Sequence, residues 1–139
     1  MAKFIFQDAF FSFNSVDLSD HVKKIELAIE LAEVDVTAMG NGGYASRLAG
    51  MRRWTATADL FNDFAAASVD ATVFPVVAAA SVVPIEVRPV RTGGRSTTNP
   101  GFTGNAAVVS HTPVSGAVNE AAMTTVKLLG FDALVRATS

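Results

Sequence analysis

Hydrophobic and polar residues alternate with a period of two along residues 22–33. Ile25, Leu27, Ile29 and Leu31 fall on one side, and Lys24, Glu26, Ala28, Glu30 and Ala32 on the other. Successive side chains of a strand point to opposite faces, so the pattern predicts a long strand with one dry and one wet face. A helix would scatter the same four aliphatics around its circumference. Residues 51–61 repeat the pattern, with Trp54, Ala56, Ala58 and Leu60 opposed to Arg53, Thr55, Thr57 and Asp59. Two long two-faced strands need partners, and the rest of the chain is expected to organise around them.

Between these strands residues 34–50 are too long and too glycine-rich for a tight hairpin turn, and loops of this kind are uncommon unless they bind something. Upstream, Phe4, Phe6, Phe10, Phe11 and Phe13 place half of the ten phenylalanines within the first thirteen residues, an aromatic arm (1–15) expected to lie extended on apolar surface. Downstream, Ser68 can cap a helix over residues 68–80 with Asp70 at its positive end, and Pro75 predicts that this helix is kinked or short. Val83, Ile85 and Val87 then alternate with Glu86 and Arg88, and Pro84 and Pro89 argue for an edge strand or for strand ends. Residues 102–112 and 122–131 read as two more strands, and the tail 132–139 as a segment ordered by contact with another chain. About six strands and one helix predict a mainly β fold, a β-sandwich or partly closed barrel with one flanking α-helix and a long Gly-rich loop, in a single domain over 1–139.

Composition sharpens this picture. Half of the 139 residues are hydrophobic and 17% are charged, and the mean hydropathy of +0.34 is apolar for a soluble chain. No run approaches the roughly 20 apolar residues that cross a bilayer, so the surplus is expected in a core or between subunits, with no membrane partner. The formal net charge of -2 implies no global pull toward nucleic acid. With no cysteine, disulfides and thiolate chemistry are excluded together. The opening residues meet an acid at Asp8 and do not read as a signal peptide, so folding in a cytoplasm is expected.

Candidate chemistry is thin, and no enzyme, cofactor or metal is expected. His21 and His111 are the only histidines, without ligand spacing, and read as surface residues. Glu33 with Asp35, and Glu26 with Glu30, share strand faces as solvated acidic stripes. No nucleophile elbow, Walker loop or dinucleotide fingerprint is present. Arg47, Arg52, Arg53, Arg88, Arg91 and Arg95 lack the interleaved aromatics of a nucleic-acid surface and read as solvated or inter-subunit charges. An enzyme reading would rest on Glu33, Asp35 and His111. A monomeric β-sandwich binding module would use Trp54, Tyr44 and the glycine loop as its ligand platform.

The order of elements resembles the tail tube proteins, or major tail proteins, of long-tailed bacteriophages. The likeness is carried by Val16-Asp17-Leu18-Ser19-Asp20 before the first strand, Asp35-Val36-Thr37-Ala38-Met39-Gly40 after it, and Ala49-Gly50-Met51-Arg52-Arg53-Trp54 opening the second. Val69-Asp70-Ala71-Thr72-Val73-Phe74 in the helix and late strands around Gly104 and Gly130 complete it. This resemblance implies a virion protein, made in the host cytoplasm, whose hexameric rings close a β-barrel and stack helically into a hollow tail tube. DNA would pass through it without specific binding. Implied partners are further copies of the chain and the tape-measure, tail terminator and distal tail proteins. On this resemblance a loop over 37–50, with Thr37, Met39, Gly40, Asn41, Gly42, Gly43, Tyr44 and Arg47, reaches an adjacent ring. Lys24, Glu26 and Glu30 face the lumen, where the acids repel phosphate, and Phe4, Phe6 and Phe10 bridge subunits. Contractile and flexible tails, gene transfer agents and related injection machines would share these features.

Overall fold

The computed structural model describes residues 5, 7–40, 42–66 and 68–139. It is mainly β, as the alternation predicts. In chain order the elements are β1 (Phe10–Phe13), β2 (Val16–Asp17), β3 (Val22–Asp35), β4 (Arg47–Phe61), α1 (Val69–Ala79), β5 (Val82–Arg88), β6 (Gly101–His111), β7 (Met123–Gly130) and β8 (Val135–Ala137). All eight strands belong to one antiparallel sheet in the order β2-β1-β5-β6-β7-β4-β3, with β8 added beside β6. The sheet curls without closing. Ile25 and Leu27 of β3 share a groove with Val87 and Phe102 of β5 and β6, although β7 and β4 lie between them in sheet order, and β2 and β3 remain free edges.

One core fills the inside of the curl. Phe11 and Phe13 from β1, Trp54, Ala56, Ala58 and Leu60 from β4, Ile85 and Val87 from β5, and Val126 and Leu128 from β7 are buried there at alternate positions. Helix α1 packs against β6 and contributes Val69, Val73 and Val76, spaced by four and three residues so that they share one face. It continues through Pro75 and still spans only eleven residues, the short form of the two outcomes the proline allows. Ser68 occupies the N-cap position without a side-chain cap bond. At the other end Ala80 adopts a left-handed conformation, and its amide reaches the carbonyls of Val76 and Val77.

Two expectations change. Strand β5 is an internal strand between β1 and β6, not an edge. Its Pro84 is tolerated because the Pro84 carbonyl, on the β1 side, accepts the amide of Asn14 at 2.8 Å. The missing N–H points the same way, where β1 has already turned off, so no ladder bond is lost. The tail is also ordered on its own chain. Strand β8 pairs with Gly101–Thr103 of β6, and the Trp54 indole Nε1 donates to the carbonyl of Asp132 at 2.6 Å. The glycines near the end of the sheet exist for this tryptophan. A Cβ at Gly104 would stand 2.5 Å from its ring, and one at Gly130 would stand 2.1 Å from it.

Candidate assembly surface

The hairpin β3–β4 has two regions with different environments. In the inner region the concave face of β4 is sealed, and Ile25, Leu27 and Ile29 stand opposite Ala58, Ala56 and Trp54. Because β3 is an edge, the concave side there stays open as an apolar groove of about 390 Å³, with Leu134 and Phe102 on its far wall.

The convex face of the same region carries an ordered set of charges. In an antiparallel sheet, residues directly opposite share a face. Lys24, Asp59 and Thr125 form one row across β3, β4 and β7, Glu26, Thr57 and Lys127 the next, and Ala28, Thr55 and Leu129 the third. Glu30 and Arg53 close the set with an ion pair at 3.2 Å. Asp59 accepts a hydrogen bond from Thr125 Oγ1 at 2.9 Å. Lys24, Glu26 and Glu30, the lumen candidates, thus share one exposed face with Asp59, Arg53 and Lys127, three residues the sequence reading left out. Folding the two strands about residues 41 and 42 would have placed Arg53 opposite Glu30 from the sequence alone.

The outer region begins at a bulge. Leu31 pairs with Arg52 but Glu33 with Ala49, so β4 carries one extra residue there. Gly50 lies at this point, where a Cβ would come within 3.1 Å of the Ala32 carbonyl oxygen. Past the bulge the polarity of the faces is exchanged. The face of Ile29 and Leu31 continues with Glu33 and Asp35, and Arg47 bonds Glu33 across the strands. The charged face continues with Ala32 and Val34, and Val34 stands opposite Leu48. Neither face of this region meets the core, so Val34, Leu48 and Met51 are left in solvent, as are Ile29 and Leu31, each 57% exposed, just before the bulge.

The strands run further than the sequence suggests, and the loop is 36–46. Its base is tied by Val36 N to Ser46 O at 2.9 Å and by Ser46 N to Thr37 Oγ1 at 2.8 Å. The Thr37 hydroxyl and amide hold the Asp35 carboxyl below its usual range. Gly40, Gly42 and Gly43 all have positive φ, which a residue with a Cβ resists. Met39 and Tyr44 are fully outside. Arg47 is a strand residue paired with Glu33, not part of the loop. Asn41, Phe4 and Phe6 lie outside the described residues. Phe10 is half-buried under the Arg88 guanidinium, 4.0 Å from the ring centre.

The structure also places the residues of the competing readings. Trp54 is 3% exposed and cannot serve as a ligand platform. Glu33 and Asp35 stand at the hairpin end, each engaged locally, whereas His111 lies on β6 with its Nδ1 3.0 Å from Thr124 Oγ1. The histidines are not free surface groups. Burial pushes His111 down against the opposing pull of Asp70, and His21 Nε2 meets Asp63 Oδ2 at 3.2 Å. The Ala65 amide, the Ser68 hydroxyl and His21 together hold Asp63 low. Of the six arginines weighed as a basic patch, five are paired within the chain, Arg47 and Arg53 as above, Arg88 and Arg95 with Glu86, and Arg91 with Asp17 and Asp20. Among the described residues no group of three or more His, Cys, Asp or Glu could hold a metal ion, and no helix is long and apolar enough to cross a membrane.

Neither a protein-family model nor a curated protein sequence matches the chain. Solved structures do. A chain from the virion of a native gene transfer agent particle superposes with a TM-score of 0.74 at 16% identity, covering 93% of this chain and 95% of that one. The tail of an empty gene transfer agent particle, refined with C6 symmetry, gives 0.68 at 18% identity over 84% and 81%. The tail tube of SPP1 gives 0.74 at 11% identity over 99% and 80%. The chain has the fold of these tail subunits.

Proposed function

We propose that the chain is a structural subunit of a phage or phage-like tail, assembling with further copies of itself into hexameric rings that stack into a hollow tube for DNA delivery. The observation that carries this reading is the far part of the β3–β4 hairpin, where two strands continue beyond the core with Ile29 and Leu31 exposed on one face before the bulge, Val34 and Leu48 on the other face past it, and one sheet edge unpaired. Exposed apolar area of this kind in a subunit is an interface awaiting a partner, and a free edge is a template for strand addition. A head-to-tail contact that closes after a few copies gives a ring and removes the edge. The likeness to tail structures, one of them with sixfold symmetry, supports the same reading.

In this assembly the hairpin end, with Thr37, Met39, Gly40, Asn41, Gly42, Gly43, Tyr44 and Arg47, reaches a neighbouring ring. The groove between β3 and Phe102 receives apolar residues of an adjacent copy. The convex face carrying Lys24, Glu26 and Glu30 lines the lumen, and Phe4, Phe6 and Phe10 contribute to subunit contacts. Tape-measure, terminator and distal tail proteins would set the length and close the ends of such a tube, which is made in the host cytoplasm and ends in the virion. Negative-stain electron microscopy of the purified chain across a concentration series tests this. Rings or tubes with a central hole are expected, and monodisperse 14.5 kDa particles at every concentration would overturn it.

A further inference from the structure

The convex face of β3, β4 and β7 bears Lys24, Arg53 and Lys127 against Glu26, Glu30 and Asp59, three bases and three acids in successive cross-strand rows. Each base has an acid in its own row: Lys24 directly opposite Asp59, Glu26 and Lys127 flanking Thr57, and Glu30 bonded to Arg53. The other residues of these rows are threonines, Ala28 and Leu129, and the aromatic of the same face, Phe61, lies one row beyond them opposite Met123. We infer that this face is a charge-neutralised sliding surface for a polyanion: it releases DNA because its charges cancel within each row, not because an acidic wall repels it. The inference rests on the lumen assignment proposed above and replaces the repulsion that Glu26 and Glu30 suggest when read alone.

The physical reason is counterion release. A protein surface gains affinity for DNA in proportion to the phosphates its cations neutralise, and a cation with an acid in its own row has less to offer. A neutral face also spends nothing on pushing a phosphate chain through a narrow channel. Cancellation row by row is more robust than cancellation on average: Lys24 and Asp59, and Glu30 and Arg53, lie across a single strand pair, within a Debye length of roughly 8 Å, and Glu26 and Lys127 stand two strand spacings, about 10 Å, apart on either side of Thr57. Being balanced, such a surface stands one or two substitutions from adhesion. An acidic wall would not.

That difference is the test. Glu26→Gln/Glu30→Gln leaves three bases against Asp59, and Lys24→Gln/Lys127→Gln leaves three acids against Arg53. Co-sedimentation of a fluorescent 30-base-pair duplex with assembled material, and fluorescence anisotropy of the same duplex with dispersed chain, are measured at about 20 and 200 mM salt. The parent and the lysine variant are expected to leave the duplex free. The glutamate variant should bind it at low salt and lose at least tenfold in affinity at the higher salt, as a polyelectrolyte contact does. A glutamate variant that stays as inert as the parent overturns the inference in favour of an acidic or remote wall. A parent that binds the duplex by itself also overturns it. Micrographs of the same samples separate this from the tube reading: absence of tubes in parent and variants defeats the tube, while the dispersed chain still has to show the difference between them.

Discussion

The two regions of the β3–β4 hairpin are built from the same kind of sequence and do opposite things. Inside, Trp54, Ala56, Ala58 and Leu60 vanish under α1, β1 and β5, and every second residue is fixed by its neighbours. Outside, past Gly50, Val34 and Leu48, of equal hydrophobicity, stand in water on one face, and the other face has turned to Glu33, Asp35 and Arg47. The difference is one of cover: strand alternation marks which residues share a face, but only a second layer makes that face dry. The inner region holds the subunit together, and the outer region adds nothing to its core.

The comparison is broken most severely from the inner side. Trp54→Ala should lower the folding free energy by about 3–5 kcal/mol, the usual cost of emptying a buried aromatic site, and release the tail by removing the bond to Asp132. Urea denaturation and hydrogen exchange across 132–139 check the two parts, and a variant with parental stability would mean the indole is not a core residue. On the outer side, Val34→Ser/Leu48→Ser should move subunit stability by no more than about 1 kcal/mol, since only a cross-strand pair is weakened, yet abolish tubes in micrographs. Persisting tubes would show that the exposed face has no neighbour.

The smallest effect concerns His111. Its folded pKa is depressed by burial, so the unfolded chain takes up the proton first. Stability is therefore full above the ordinary histidine value of about 6.5 and falls as pH drops from there toward the folded value. His111→Gln should flatten the urea midpoint between pH 7.5 and 5.5, and an unchanged slope would assign the pH dependence elsewhere. Asp17, Asp35 and Asp63, all held low, act in a separate window. Burial opposes the lowering at Asp17, where the Ser19 hydroxyl and amide and Arg91 outweigh it. The stability contributed by these three carboxylates is present above about 3.8 and lost as pH falls through their folded values.

Much of the architecture was readable because period-two alternation is local. The faces of β3 and β4, the flanking helix and the mainly β class follow from neighbours one and two residues apart. What escaped depends on distant partners. The place of β5 inside the sheet was hidden because Pro84 looks like an edge marker until Asn14 is known to meet its carbonyl. The tail looked loose because nothing in Val135-Arg136-Ala137 advertises that Gly101–Thr103 leaves a place beside it. Of the candidate site, Lys24, Glu26 and Glu30 were placed on one face by alternation. The compensating Arg53, Asp59 and Lys127 required a register, and a register requires knowing where the turn and the bulge fall.

That bulge has a meaning for how the chain tolerates change in its own length. With the extra residue, Leu48 meets Val34 and Arg47 meets Asp35, like with like and base with acid. Removing Gly50 would leave these pairings intact, because Arg52, Met51, Ala49, Leu48 and Arg47 would then stand in unbroken order opposite Leu31, Ala32, Glu33, Val34 and Asp35. The bulge is thus a spare residue. Loss of Leu48 instead would bring Arg47 to Val34 and undo the pairing of like with like. Variation in length is therefore expected to be absorbed at Gly50 and Met51 and rejected further out along the hairpin.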